Sequence, residues 1–203
     1  MAFTYQPASG LARAARWALW ADALVAAVAV VLSVVLGAHA FEWGDFSRLF
    51  SILQLLTWLA SLSLFLIWLY RANANARAMG AEDLMGSPGL SVAWFFVPIA
   101  WFFMPYIVVR DTWKASEAPR DWQGRSTPPL VGFWWAGMLV ANVAGTIAFR
   151  LALDADYESL GAVWAFDLVS NLGSVAAGLL GAQLVAGIMA RQVSPAHLGE
   201  TFR

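Results

Sequence analysis

Residues 90–109 read LSVAWFFVPIAWFFMPYIVV, twenty residues without a charge. This stretch has the length of a membrane-spanning helix, which needs about 20 apolar residues at about 1.5 Å rise to cross roughly 30 Å of hydrocarbon. Yet Pro98 and Pro105 lie inside it. In a continuous helix each proline would remove a backbone donor and strand a carbonyl, at Trp94 and Trp101 respectively. The pieces on either side of the prolines are too short to span. Ser87-Pro88 just upstream has the chemistry of an N-cap followed by a proline at the first helical position, so a helix should begin near Gly89. Trp94, Pro98, Trp101 and Pro105 recur at i, i+4, i+7 and i+11. On a helix they would form one stripe, whose simplest use is packing.

Outward from this stretch lie four more apolar segments: Trp17 to Leu36, Leu49 to Tyr70, Leu130 to Phe149 and Leu168 to Ala190. Only the first carries a charge, Asp22. Arg13 and Arg16 ahead of it and Ala38-His39-Ala40 behind it would suit a cleaved signal peptide. Its apolar run exceeds the usual 7 to 15 residues or so and contains an aspartate, which favours an uncleaved helix. The whole chain is 61% hydrophobic and 12% charged over 203 residues, where soluble domains carry about 25% charged residues. It reads as a single membrane domain over residues 1–203, with no stretch left for a separate soluble domain.

Loop charge sets the orientation, because cytoplasmic loops hold an excess of Arg and Lys. Arg13 and Arg16 precede the first segment, and the connection from His39 to Ser47 has Glu42 and Asp45 and no Arg or Lys. Arg71 and Arg77 follow the second segment; Arg110, Lys114, Arg120 and Arg125 follow the third. Asp154, Asp156 and Glu158 outweigh Arg150 after the fourth, and Arg191 and Arg203 follow the fifth. Both flanks of the third segment thus look cytoplasmic, and an odd number of crossings cannot return this pattern.

The expected fold is an all-α, polytopic membrane helix bundle with four spans, near 17–37, 48–70, 130–150 and 167–190. A proline-broken segment over about 88–113 re-enters or lies at the interface, between cytoplasmic loops 71–87 and 114–129. The alternative is a kinked fifth span with one loop misread. Both termini are expected in the cytoplasm. All basic residues but Lys114 are Arg, and Ala, Val, Leu and Gly dominate, a bias that suits GC-rich bacterial coding and a bacterial inner membrane.

The stretch from Tyr70 to Ser116 also resembles the core of a bacterial membrane family known only as domain of unknown function 4328. The matching elements are Arg71, Asn73 and Arg77, then Gly80-Ala81, Ser87-Pro88-Gly89, Trp94, Val97-Pro98, Pro105-Tyr106 and Trp113-Lys114-Ala115-Ser116. Trp134-Trp135 falls where that family shows paired tryptophans. Trp101 departs from it, standing where an asparagine is expected, so a polar reactive role for the turn after Pro98 is not implied. The resemblance implies a fold neighbourhood and no activity.

The residues that could carry a function cluster at the basic, tryptophan-rich cytoplasmic face: Arg71, Asn73, Asn75, Arg77, Trp94, Pro98, Pro105, Tyr106, Arg110 and Trp113. Guanidinium forks there would suit an anionic lipid headgroup or a partner membrane protein; structurally, the same donors would anchor the helix end or cap freed carbonyls. A non-enzymatic binding module is the first reading. The second is a small oligomeric transporter or channel using Asp22 as an ion or proton site. Against that, a lone interfacial aspartate can snorkel to water or pair with Arg71, Arg77 or Arg110. Asp167 could pair with Arg150 or Arg48. Gln54, Asn142, Asn171 and Gln183 read as interhelical hydrogen-bonding groups rather than a pore.

Ser170, Ser174, Gly178, Ala182, Ala186 and Ala190 form one small-residue ladder, and Gly137, Ala141 and Gly145 another. They suit tight packing on each other or on a second copy. Most of the twelve tryptophans lie near segment ends, as an interfacial belt requires. The histidines, His39 and His197, fall on opposite sides of the proposed membrane, and there are no cysteines. No metal site, cofactor motif, nucleophile–base pair or nucleic-acid patch can be assembled.

Overall fold

The computed structural model describes residues 3–37, 44–153 and 160–193, and every regular element among them is helical. In chain order they are α1 (Ser9–Leu36), α2 (Gly44–Ala78), α3 (Pro88–Ala93), a single 3-10 turn (Ala100–Phe102), α4 (Met104–Glu117), α5 (Pro129–Leu153) and α6 (Leu160–Gln192). Four of these, α1, α2, α5 and α6, are long and apolar enough to cross a membrane. The shortest, α5, has 25 residues, which at about 1.5 Å per residue already exceeds roughly 30 Å of hydrocarbon. Each helix outruns the apolar window expected for it. Helix α1, for example, takes in Arg13 and Arg16, and α2 takes in Arg71 and Arg77. The connections holding His39, Glu42, Asp154, Asp156 and Glu158, and the tail with His197 and Arg203, lie outside the described residues.

The proline-bearing stretch is not one helix. Ser87 caps α3 by accepting the Leu90 amide on Oγ at 3.2 Å, with Pro88 at the first turn, as the Ser-Pro pair predicts. The α pattern ends at Trp94, whose amide reaches Leu90 O at 3.1 Å. Beyond Pro98 the chain reverses through Ile99 at φ +68°, a region a β-branched residue enters at a cost of about 1–3 kcal/mol. Pro105 sits in the first turn of α4, where a missing amide donor is harmless. The stripe of Trp94, Pro98, Trp101 and Pro105 therefore does not form. Helix α4 runs on to Glu117, four residues past the expected end, because Lys114, Ala115 and Ser116 are buried and not part of a solvated loop.

The chain divides into two compact units. Unit 1 comprises Met1–Trp17, Ser63–Gly132 and Ala182–Arg203, and unit 2 comprises Ala18–Leu62 and Phe133–Gly181. Unit 1 is built on buried Trp68, Leu69, Val109, Leu184 and Ile188. Phe65 packs on Trp68 and Phe95, with ring centroids 5.5 and 6.2 Å apart.

Unit 2 is held by close backbone approach. A Cβ added at Gly173 of α6 would lie 2.7 Å from the Ala141 amide nitrogen and 3.0 Å from Gly137 O, both on α5. One at Gly178 would lie 2.8 Å from Leu19 O on α1. The two small-residue ladders meet through Ser170, whose hydroxyl would lie 2.8 Å from a Cβ at Gly145. Gly178 turns instead to α1, and the approach to Gly137 and Ala141 is made by Gly173, which neither ladder includes. Outward, Leu24, Leu49 and Phe149 are 66%, 68% and 66% exposed. That inverts the pattern of a water-soluble domain and suits contact with lipid.

Candidate functional site

Most of the residues singled out at the basic face serve the architecture of unit 1. Asn75 is fully buried and holds the N-terminal strand of chain in both directions: its Nδ2 donates to Gln6 O at 2.9 Å, and its Oδ1 accepts the Gln6 amide at 3.0 Å. Asn73, also buried, donates to Thr112 Oγ1 of α4 at 3.1 Å and accepts Arg77 Nε at 3.1 Å. The remaining Arg77 fork closes the loop after α2 by donating to Leu84 O at 3.1 Å and to Gly86 O. Asn73 and Arg77 pair four residues apart on one helix, whereas Asn75 bonds to the Gln6 backbone and not to Arg71, four residues before it.

Further along, Arg110 pairs with the buried Asp111 at 2.7 Å and lies over Tyr106. Trp113 lies under the Arg191 guanidinium, 4.0 Å from the ring centroid. Gln192 ties α6 to α2 and α4 through Ala72 O at 2.8 Å and Ser116 Oγ at 2.9 Å. Arg71 is half-buried. The Trp94 indole N–H is buried without a hydrogen-bond partner. Pro98 stands exposed at the turn and Pro105 is buried at the head of α4.

Unit 2 holds a different constellation. A cavity of about 550 Å³ is lined by Asp22 and Val25 of α1, Gln54 and Trp58 of α2, Asn142 and Thr146 of α5, and Asp167, Ser170, Asn171 and Ser174 of α6. Two carboxylates, three carboxamides and three hydroxyls from four spans meet there, and no Arg or Lys lines it. The hydroxyls of Thr57 and Ser61 donate to backbone carbonyls of α2, at Leu53 O, Gln54 O and Trp58 O, while Arg77 and Arg110 take the partners described above. Gln54 Nε2 donates to Asn171 Oδ1 at 2.7 Å, and Asn171 Nδ2 donates to Asp167 Oδ2 at 3.0 Å. Thr146 and Ser174 bond to backbone carbonyls one turn back, at Asn142 O and Ser170 O, and Ser170 reaches Ala141 O across the α5–α6 contact at 2.8 Å. Among the described residues no group of three or more His, Cys, Asp or Glu is arranged to hold a metal ion.

Of this constellation the sequence reading singles out Asp22 alone as a site. Gln54, Asn142 and Asn171 read in the sequence as interhelical bonding groups, and Gln54 and Asn171 do make such a bond; Asp167 reads there as half of a helix-end ion pair. The available signal was the spacing of Asp167, Ser170, Asn171 and Ser174 at i, i+3, i+4 and i+7, a polar face on an otherwise apolar span. Gln183 is exposed and lies outside the cavity.

Comparison with curated proteins and with solved structures finds no match. Residues 38–190 match the family described as Domain of unknown function (DUF4328). The matched region contains every element on which the resemblance rests and also Gln54, Asn142, Asp167 and Asn171, while Asp22 precedes it. With well over half of its length matched, the chain belongs to the DUF4328 family.

Proposed function

We propose that this multi-pass membrane protein binds a small cation in the unit 2 cavity and passes it across the bilayer. The carrying observation is that Asp22, Gln54, Asn142, Asp167 and Asn171, contributed by four spans, line one cavity with no basic side chain among its lining. Intramembrane carboxylates are costly unless paired or wet. In a chamber large enough for a hydrated ion, Asp22 is compensated by a cation more readily than by any group lining it, and Asp167 adds a second carboxylate there while also facing the neighbouring cavity that Arg48 lines. Carboxylate, carbonyl and hydroxyl oxygens are the donors hard cations take. A headgroup or partner site at Arg77 draws less support, because its donors are engaged by Asn73, Leu84 and Gly86.

In the same proposal both termini face the cytoplasm of a bacterial inner membrane, and residues 88–117 enter and leave on that side. Support comes from the basic flanks and from length. Helices of 6 and 14 residues rise only about 9 and 21 Å. The turn between them presents Phe96 and Ile99, 66% and 75% exposed, as an apolar tip suited to lipid.

The test is reconstitution in liposomes with flux of Na⁺, K⁺ and protons followed by ion-sensitive dyes, alongside thermal unfolding of the detergent-solubilised protein in each salt. A cation at 100 times its dissociation constant stabilises the folded state by about 2.7 kcal/mol. Both this shift and the flux should disappear in Asp22→Asn and Asp167→Asn. Absence of both flux and cation-specific stabilisation across the panel would reject the proposal.

A further inference from the structure

A second cavity, of about 480 Å³, adjoins the first in unit 2 and is lined by Ser33 and Leu36 of α1, Phe46, Arg48 and Ser51 of α2, and Trp164 of α6. Gln54 and Asp167 belong to the walls of both cavities. These two residues are the outer members of the hydrogen-bonded chain already described, in which Asn171 joins Gln54 at 2.7 Å and Asp167 at 3.0 Å. Asn171 itself is 5% exposed. We infer that the Gln54–Asn171–Asp167 chain is the gate between an outer vestibule and the polar chamber. This inference rests on the cation reading for its physiological meaning, not for its geometry.

Asn171 uses its carbonyl toward α2 and its amide toward Asp167, and the same amide also donates to its own helix at Asp167 O, 2.9 Å away. Its rotamer is therefore fixed from three directions, and the bridge links α2 to α6. Swinging Gln54 aside breaks one interhelical bond, a modest cost within a membrane. A cation arriving at Asp167 competes for the very carboxylate that orients Asn171. The arriving ion would thereby loosen the bridge that bars it, which makes the chain a barrier that its ligand can open. Asn171 and Gln54 are positioning residues in this scheme, and Asp167 is the group that meets the ion. The vestibule reaches Leu36 at the end of α1 and Phe46 near the start of α2, the ends that the proposed orientation places outside.

Because the chain has no cysteine, single thiols report on the two sides of the gate. Ser51→Cys probes the vestibule and Ser174→Cys the chamber, each treated with a membrane-impermeant cationic methanethiosulfonate from the outer side of right-side-out vesicles. Ser51→Cys should react quickly and Ser174→Cys slowly. Adding Gln54→Ala should speed the second reaction about three- to tenfold, the scale of losing a single interhelical hydrogen bond, and leave the first unchanged. Asn171→Ala should do the same by removing both bonds; if it disturbs the fold, seen as a changed rate at Ser51→Cys, the Gln54→Ala pair decides.

Equal rates at the two thiols in the unaltered chain would overturn the gate, as would a slow chamber rate that Gln54→Ala leaves unaltered. The thiol readout needs no bound ion. A gate found without cation stabilisation would reject the proposed function alone, and cation binding without a gate would reject this inference alone.

Discussion

The substitution Gly173→Ala tests how the spans of unit 2 are held together. The added methyl would lie 2.7 Å from Ala141 N, 3.0 Å from Ala141 Cα and 3.0 Å from Gly137 O. All three are backbone atoms of α5, so no side chain can rotate out of the way. Ordinary contact at about 3.5–4.0 Å requires α5 and α6 to separate locally by roughly 1 Å, loosening the Ser170 bond to Ala141 O as well. Overpacking of this kind costs about 1–3 kcal/mol. It is opposed by the gain of about 0.5–1 kcal/mol that alanine brings over glycine inside a helix.

The control is Gly132→Ala in α5, where an added Cβ meets nothing within 4 Å and only the gain should remain. Thermal unfolding in detergent, followed by tryptophan fluorescence, should thus move in opposite directions for the two variants, down for Gly173→Ala and up or unchanged for Gly132→Ala. Equal or greater stability of Gly173→Ala than of Gly132→Ala would refute the close α5–α6 contact.

Two further outcomes follow from unit 1. Arg77→Lys keeps the positive charge at the end of α2 but cannot reproduce a fork that reaches Asn73 Oδ1, Leu84 O and Gly86 O together. It should cost about 1–3 kcal/mol and raise proteolytic cleavage within residues 79–87. A fully stable Arg77→Lys with a protected loop would show that charge alone matters there. Tyr5 donates to Gln192 O at 3.4 Å, and burial pushes its phenol above the ordinary value. A phenol whose folded value is raised contributes stability below the unfolded value, lost as pH climbs through the folded one. Absorbance titration near 295 nm should give a wild-type minus Tyr5→Phe difference curve worth one tyrosine and centred above the ordinary phenol value. A Tyr5→Phe difference curve centred at the unperturbed value would contradict this.

What the sequence determined by itself is local along the chain. Membrane residence and four long helices follow from uninterrupted apolar windows, which need no knowledge of neighbours. Pro98 marks where a helix must kink or end, since it removes an amide donor, and the start of α3 follows from the Ser87 hydroxyl within reach of Leu90 N. The Asn73–Arg77 pair is equally local, four residues apart on one helix.

Long-range packing, by contrast, sets which face of one helix meets which face of another. The period of an α-helix places Asp167, Ser170, Asn171 and Ser174 together, but the rotation of α6 about its axis is set by the Gly173 and Gly178 contacts with α5 and α1. That rotation brings this polar face to Asp22, Gln54 and Asn142 around one cavity. It likewise took long-range packing to show that Asn75 clasps Gln6, 69 residues away. Hydropathy and spacing are properties of one segment, whereas a shared cavity is a property of four segments at once, fixed by backbone approach that no single window of sequence records.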